Sequence, residues 1–174
     1  KPHQKSIWPL IIAVLDRLGN YNIAFQVLLA ITDKYSDDPQ YIQKLGICAL
    51  KVGEPNVAEV CRDKLQQDTV NHTSLKVLDA KIEEYHLRYK NALAIHESML
   101  DVNKNSPSVL RALLGLYLKM ENHQKAKQIF NKYTEISPKD KSLDIQLISA
   151  GIDANLGQYK IAVEKLIQIL EKDL

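Results

Sequence analysis

The side chains best able to do chemistry in this sequence are five histidines, two cysteines and a scatter of carboxylates. The histidines are His3, His72, His86, His96 and His123. A zinc-binding helix needs two histidines one turn apart with a carboxylate partner, and no pair here has that arrangement. Glu83 and His86 form one Glu-x-x-His step. A di-metal helical bundle needs two such steps and further carboxylates, so the single step predicts no metal site. Packing accounts for His123 in a turn and His96 on a helix face. Cys48 and Cys61 are 13 residues apart, both on apolar faces. They read as reduced core thiols of a cytoplasmic protein, with a disulfide as the alternative. Neither has sequence neighbours that would activate a thiolate. The six glycines are scattered and form no phosphate loop, and no Gly-x-Ser-x-Gly elbow occurs. The expectation is therefore no catalytic residue, no metal and no cofactor. Asn71-His72-Thr73 fits the glycosylation pattern, and with no signal peptide visible it reads as chance.

The residues that remain must be positioned by a fold, and composition bounds that fold. The chain has 174 residues, 45% hydrophobic and 25% charged, the profile of one globular domain. Its formal charge is +2, from 23 basic and 21 acidic residues. That balance gives no reason to expect nucleic acid or an anionic membrane as partner. The longest apolar run, Trp8 to Leu15, contains Pro9. It falls far short of the roughly 20 residues needed to span a bilayer, so membrane insertion is not expected. The first residue is Lys1 rather than Met, which reads as a fragment or a processed product of a longer protein.

An internal period organises the chain. Ala24, Ala58, Ala92, Ala126 and Ala162 recur at intervals of 34, 34, 34 and 36 residues. Turn residues precede most of them: Gly19-Asn20-Tyr21, Gly53-Glu54-Pro55, Glu121-Asn122-His123 and Gly157-Gln158-Tyr159. The third slot holds Leu87-Arg88-Tyr89. Each unit carries two apolar stripes of helical period. In the fourth, Val109, Leu110, Leu113, Leu114 and Tyr117 are followed by Ala126, Ile129, Phe130 and Tyr133. Breaks fall at Asp38-Pro39, Ser106-Pro107 and Ser137-Pro138, because proline disfavours helical geometry in the residue before it. A small residue at the start of the second helix lets two antiparallel helices approach closely. Neighbouring pairs then stack, since one pair cannot bury its apolar face alone.

On these residues the chain resembles the tetratricopeptide repeat family. The fourth repeat carries the resemblance best, through Leu113, Tyr117, Ala126, Phe130 and Pro138. The first contributes Trp8, Ile11, Leu15 and Ala24, and the second Leu45, Gly46 and Ala58. Asp79 and Ser149 stand where the family has Leu, and Glu83 and Asp153 where it has Tyr. Those two first helices are expected to be shifted in register or loosely packed. The resemblance implies an all-α, right-handed superhelical stack of about five helix-turn-helix repeats in one domain, near 5–38, 39–72, 73–106, 107–142 and 143–174. It also implies a protein–protein interaction scaffold, not an enzyme.

In the family the first helices line a concave groove. Carried onto this sequence, the candidate partner-binding residues are Arg17, Gln43, Ile47, Leu50, Lys51, Val77, Lys81, Glu84, Tyr85, Arg111, Leu118, Lys119 and Asn155. This mixture suits a peptide or protein with apolar anchors and acidic character. Family members that hold chaperone tails pair a Lys and an Asn at fixed slots. Those slots hold Pro9, Gln43, Val77, Arg111 and Leu147, and Ala13, Ile47, Lys81, Gly115 and Gly151, so no repeat has the pair. Two alternatives stand beside the groove. One is a non-catalytic regulatory or oligomerisation arm of a larger signalling protein or enzyme. Ile161, Leu166 and Ile169 of the C-terminal repeat are expected to lack a cover, so that either the native protein continues with another helix or a homo-oligomer forms through that repeat. The other is an RNA-binding helical repeat, which the near-neutral charge and the absence of a repeated polar residue disfavour.

Overall fold

The computed structural model describes residues 7–67 and 72–171. His3, Asn71 and the side chain of His72, named above, lie outside the described residues. All regular structure among the described residues is helical. The first pair is α1 (Trp8–Arg17) with α2 (Tyr21–Ala30), extended by a short α3 (Thr32–Tyr35). The later pairs are α4 (Pro39–Val52) and α5 (Pro55–Gln66), α6 (His72–Tyr85) and α7 (Tyr89–Val102), α8 (Pro107–Lys119) and α9 (His123–Ile136), and α10 (Leu143–Asn155) and α11 (Tyr159–Leu170).

Local chemistry explains the boundaries. Pro39, Pro55 and Pro107 each occupy the first position of a helix, where the missing N–H is no loss and φ is already set. The Asp38 carboxylate caps α4 by accepting from the backbone N–H groups of Gln40 at 2.9 Å and Tyr41 at 3.3 Å. Asn122 caps α9 through Lys125 N–H at 3.1 Å. The turn inside each pair passes through one residue in the left-handed region: Gly19, Gly53, Leu87, Glu121 and Gly157. The separate α3 has a cause too. The Leu28 carbonyl accepts from Ile31 N–H, from Thr32 Oγ1 at 3.2 Å and from the Tyr41 hydroxyl. A carbonyl shared in this way competes with the helical ladder, and α2 stops there.

The described chain divides into two compact units, Lys1–Ile95 and His96–Leu174, with the division falling inside α7. In the first, α4 packs against α2, α5 and α6. Its core gathers Trp8, Ile12, Leu28, Tyr41, Leu45, Cys48, Leu65 and Leu78. Trp8 meets the Tyr41 ring edge-on at 5.5 Å. Cys48 and Cys61 are both buried and free, and burial pushes the Cys61 thiol up to about 11. In the second unit α8 packs on α9, and α10 on α9 and α11, around Leu110, Leu114, Phe130, Tyr133, Ile145 and Ile152. The recurring alanines are fully buried, or nearly so, in both.

The first helices of the third and fifth pairs are continuous helices with buried side chains. In α6, burial is carried by Leu78, Ala80 and Ile82, which leaves Asp79 and Glu83 half-buried at the margin. In α10, Ser149 and Asp153 are themselves buried, because polar partners meet them.

Candidate functional site

Four of the sequence-derived residues sit on α6 and four on α4, two helices that pack together in the first unit. On α4, Gln43 and Ile47 are half-buried and Lys51 is exposed, one helical turn apart. Leu50 does not belong with them. It is 8% exposed and part of the core, so it is corrected from a partner-facing to a packing residue. On α6, Val77, Lys81 and Glu84 are half-buried and Tyr85 is 40% exposed. The Lys81 ammonium bonds the Glu84 carboxylate at 2.7 Å. Lys51 lies 3.9 Å from the centre of the Tyr21 ring and 3.8 Å from the Asp16 carboxylate. Asp16 also accepts from Lys44, so α1 and α4 are tied by one carboxylate between two ammonium groups. Arg17 ends α1 in an exposed position.

The remaining four residues are in the second unit. Leu118 is half-buried against its core, Lys119 is exposed, and Asn155 is the exposed last residue of α10. Arg111 is no free cation. Its guanidinium donates to Asp144, to Asp140 at 3.1 Å and to the Tyr133 hydroxyl at 3.4 Å. The Tyr133 hydroxyl in turn donates to Asp140, which also accepts from Ser142 Oγ at 2.6 Å and Ser142 N–H at 3.1 Å. The Ser142 and Tyr133 bonds hold the Asp140 carboxyl down at about 2. Arg111 thus joins α8 to the segment leading into α10.

A second polar cluster escaped the sequence reading altogether. The Asp153 side chain is 1% exposed and accepts from Lys127 of α9 at 2.6 Å and from Lys165 of α11. Lys165 donates further to Ser149 Oγ at 2.6 Å. Burial works against the Asp153 charge, and the two ammonium donors overcome it, so its pKa is lowered. The signal was in the sequence as two polar residues in slots that the family fills with Leu and Tyr. A buried carboxylate requires cationic partners, but their identity depends on which helices meet.

The Glu83 carboxylate is occupied by Arg88 at 2.7 and 2.8 Å and by Asn91 at 2.8 Å. Among the described residues no group of three or more His, Cys, Asp or Glu is placed to hold a metal ion, and no helix is long and apolar enough to cross a membrane. Of the C-terminal apolar residues, Ile161 and Leu166 are exposed, at 45% and 41%, whereas Ile169 is 8% exposed and belongs to the packed side of α11.

Comparison with known proteins gives three findings. The tetratricopeptide repeat family model matches residues 87–148. No curated protein sequence matches the chain. Solved structures do resemble it. A tetratricopeptide repeat protein from Parabacteroides merdae has a TM-score of 0.77 at 13% identity, covering 97% of this chain and 66% of that one. MamA from Desulfovibrio magneticus RS-1, residue 41 to its end, has a TM-score of 0.61 at 17% identity, covering 95% of this chain and 92% of that one. A further MamA structure has a TM-score of 0.57 at 19% identity, covering 96% of this chain and 90% of that one.

Proposed function

We propose that this chain, a member of the tetratricopeptide repeat family, is a non-catalytic protein–protein interaction module that holds a segment of a partner on the α4–α6 face. One observation carries the reading. Ile47 and Val77 expose part of their aliphatic side chains on packed helices, and Lys51, Lys81 and Tyr85 stand beside them. Half-buried aliphatics supply anchor area, the aromatic adds rigid contact surface, and the ammonium groups favour carboxylates on the partner. Gln43 lies on α4 as well, and Arg17 ends the neighbouring first helix in sequence, α1. Leu118, Lys119 and Asn155 are the candidates on the second unit. Arg111 is left out of the recognition set, because two carboxylates hold its guanidinium, whereas Lys81 meets one and Lys51 shares Asp16 with Lys44.

The test is affinity capture from the source organism with the unaltered domain and with a Lys51→Glu, Lys81→Glu double variant, followed by binding measurements on the purified partner. The expected outcome is loss of binding by at least tenfold in the variant, with helicity unchanged. Equal binding by both proteins rejects the α4–α6 face.

A second reading, an oligomerisation arm, is favoured by one observation. Tyr159, Val163, Leu166, Ile167 and Leu170 form an exposed apolar stripe along α11. Sedimentation velocity should then show association that rises with concentration and disappears in Leu166→Glu. A monomer at all concentrations rejects this reading.

A further inference from the structure

The second unit contains a recess that the proposed α4–α6 surface does not use. It lies among α9, α10, α11 and the segment 137–142, with a volume of about 240 Å³. That is below the roughly 300–1,000 Å³ typical of sites for drug-sized ligands, and suits one or two large side chains. Its apolar wall is formed by Phe130, Ile145 and Ile169, all buried in the fold. Its polar groups include Ser149, Lys165 and Lys141.

The charge of the recess follows from how those groups are held. Ser149 is 7% exposed, and its hydroxyl accepts from the Lys165 ammonium. Asp153 holds the same ammonium and that of Lys127, so the cluster has two cations for one carboxylate and keeps an excess positive charge. Lys141 is exposed and has no ion pair among the described residues. Among the described residues the one acid on the recess wall is Asp140, whose oxygens accept from Ser142, Tyr133 and Arg111. Asp144 shares that guanidinium, so this network has one carboxylate in excess and offsets the Lys165 cluster, and Lys141 leaves the surroundings net positive. The recess therefore combines an apolar floor with the Lys165 ammonium held at its side by Ser149 and Asp153 and the exposed Lys141 ammonium beside it. This also gives a use for the two departures from the repeat pattern. Leu at 149 and Tyr at 153 would fill a core, whereas Ser149 and Asp153 hold an ammonium at the recess wall.

We infer that this recess is a docking pocket for a large apolar side chain of a partner peptide whose adjacent residues are acidic. The side chain is buried against Phe130, Ile145 and Ile169, and the neighbouring carboxylate meets Lys141 and the Lys165 cluster. It is separate from the α4–α6 face, and either can hold without the other.

The probe is an end-blocked heptapeptide with one Phe followed by two Glu in a Gly/Ser background, titrated into the full chain with isoleucine methyl groups observed by NMR. The expected result is saturable shifts at the Ile145 and Ile169 methyls. Lys141→Glu, an exposed change that leaves the core intact, should weaken binding at least fivefold. Ser149→Leu, which narrows the recess, should abolish the shifts, and methyl dispersion checks that it remains folded. Replacing both Glu of the peptide by Gln should weaken binding to the same degree as Lys141→Glu. The absence of saturable shifts in the folded chain overturns the proposal. So does equal binding of the Gln peptide. Shifts at Ile47 in place of Ile145 and Ile169 overturn it as well, while supporting the α4–α6 face.

Discussion

Leu87 and Glu121 occupy left-handed backbone, with φ of 59° and 56°, at the turn slots where the other three pairs have glycine. An L side chain there costs roughly 1–2 kcal/mol, partly offset by the smaller entropy that a non-glycine residue loses on folding. Leu87 is 70% exposed, so its side chain contributes little packing in return. Leu87→Gly and Glu121→Gly are each expected to stabilise by about 0.5–1 kcal/mol, read as a higher denaturant midpoint at constant slope. Gly46 gives the opposite case. A Cβ there would stand 2.8 Å and 2.9 Å from the two methyls of Leu78 and 3.2 Å from Cys61 Cβ. Leu78 is fully buried and has little room to yield, so Gly46→Ala should destabilise by about 1–2 kcal/mol in equilibrium unfolding. A neutral or stabilising result would mean that the α4–α6 packing is looser than described.

At the scale of elements, the helices divide into those held by apolar matching and those held by polar ties. The α4–α5 pair follows the ordinary rule, with Gly46, Ala58 and Cys61 allowing close approach. The α9–α10–α11 group depends in part on Asp153. Removing one member of a buried ion cluster leaves the others uncompensated, typically at 3–5 kcal/mol. Lys127 and Lys165 keep about a third of their side-chain surface in solvent, at 31% and 34%, and can rehydrate in part. Asp153→Asn is therefore expected to destabilise by about 2 kcal/mol, below that range. The triple change Asp153→Leu, Lys127→Met and Lys165→Met removes the charges together and should recover most of the loss, because apolar replacement of a whole cluster is often neutral. Calorimetry of the unaltered chain, Asp153→Asn and the triple variant checks the order. A triple variant no more stable than Asp153→Asn would show that the cluster is more than a tie.

At the scale of the whole molecule, acid should act unevenly. Asp140, Asp144 and Asp153 all have lowered pKa values and all lie in His96–Leu174. A carboxyl lowered in the fold adds stability that is present above its unfolded value near 3.9 and is lost as pH falls through the folded value. For Asp140 that loss runs from about pH 4 down to about 2. In Lys1–Ile95 the balance differs. Burial raises Asp79, a penalty present at neutral pH and relieved as Asp79 protonates, while the Arg88 bond lowers Glu83. Hydrogen exchange followed from pH 5 to pH 2 is expected to show protection failing first in α8–α11. Asp140→Asn should flatten that dependence. Simultaneous loss in both units would contradict the assignment.

The repeat was legible in the sequence for a physical reason. Close approach of two helices admits only a small residue at one slot, and a tight turn favours glycine or a polar residue at another, so the pattern recurs with each pair. Ala24, Ala58, Ala92, Ala126 and Ala162 carried that information, and the all-α class and helix-pair architecture followed from them. The state of individual surface residues did not follow. By its slot Leu50 is a partner-facing residue, and it is buried. By its slot Arg111 is a groove cation, and Tyr133, Asp140 and Asp144 hold it. Ser149 and Asp153 read as signs of a shifted register or loose packing, and they are buried in place with Lys127 and Lys165 as partners. In each case the outcome depends on side chains that arrive from other helices, many residues away along the chain. Periodicity along one helix contains the first kind of information. Only tertiary packing, which brings α8 to the segment before α10 and α9 to α11, decides the second.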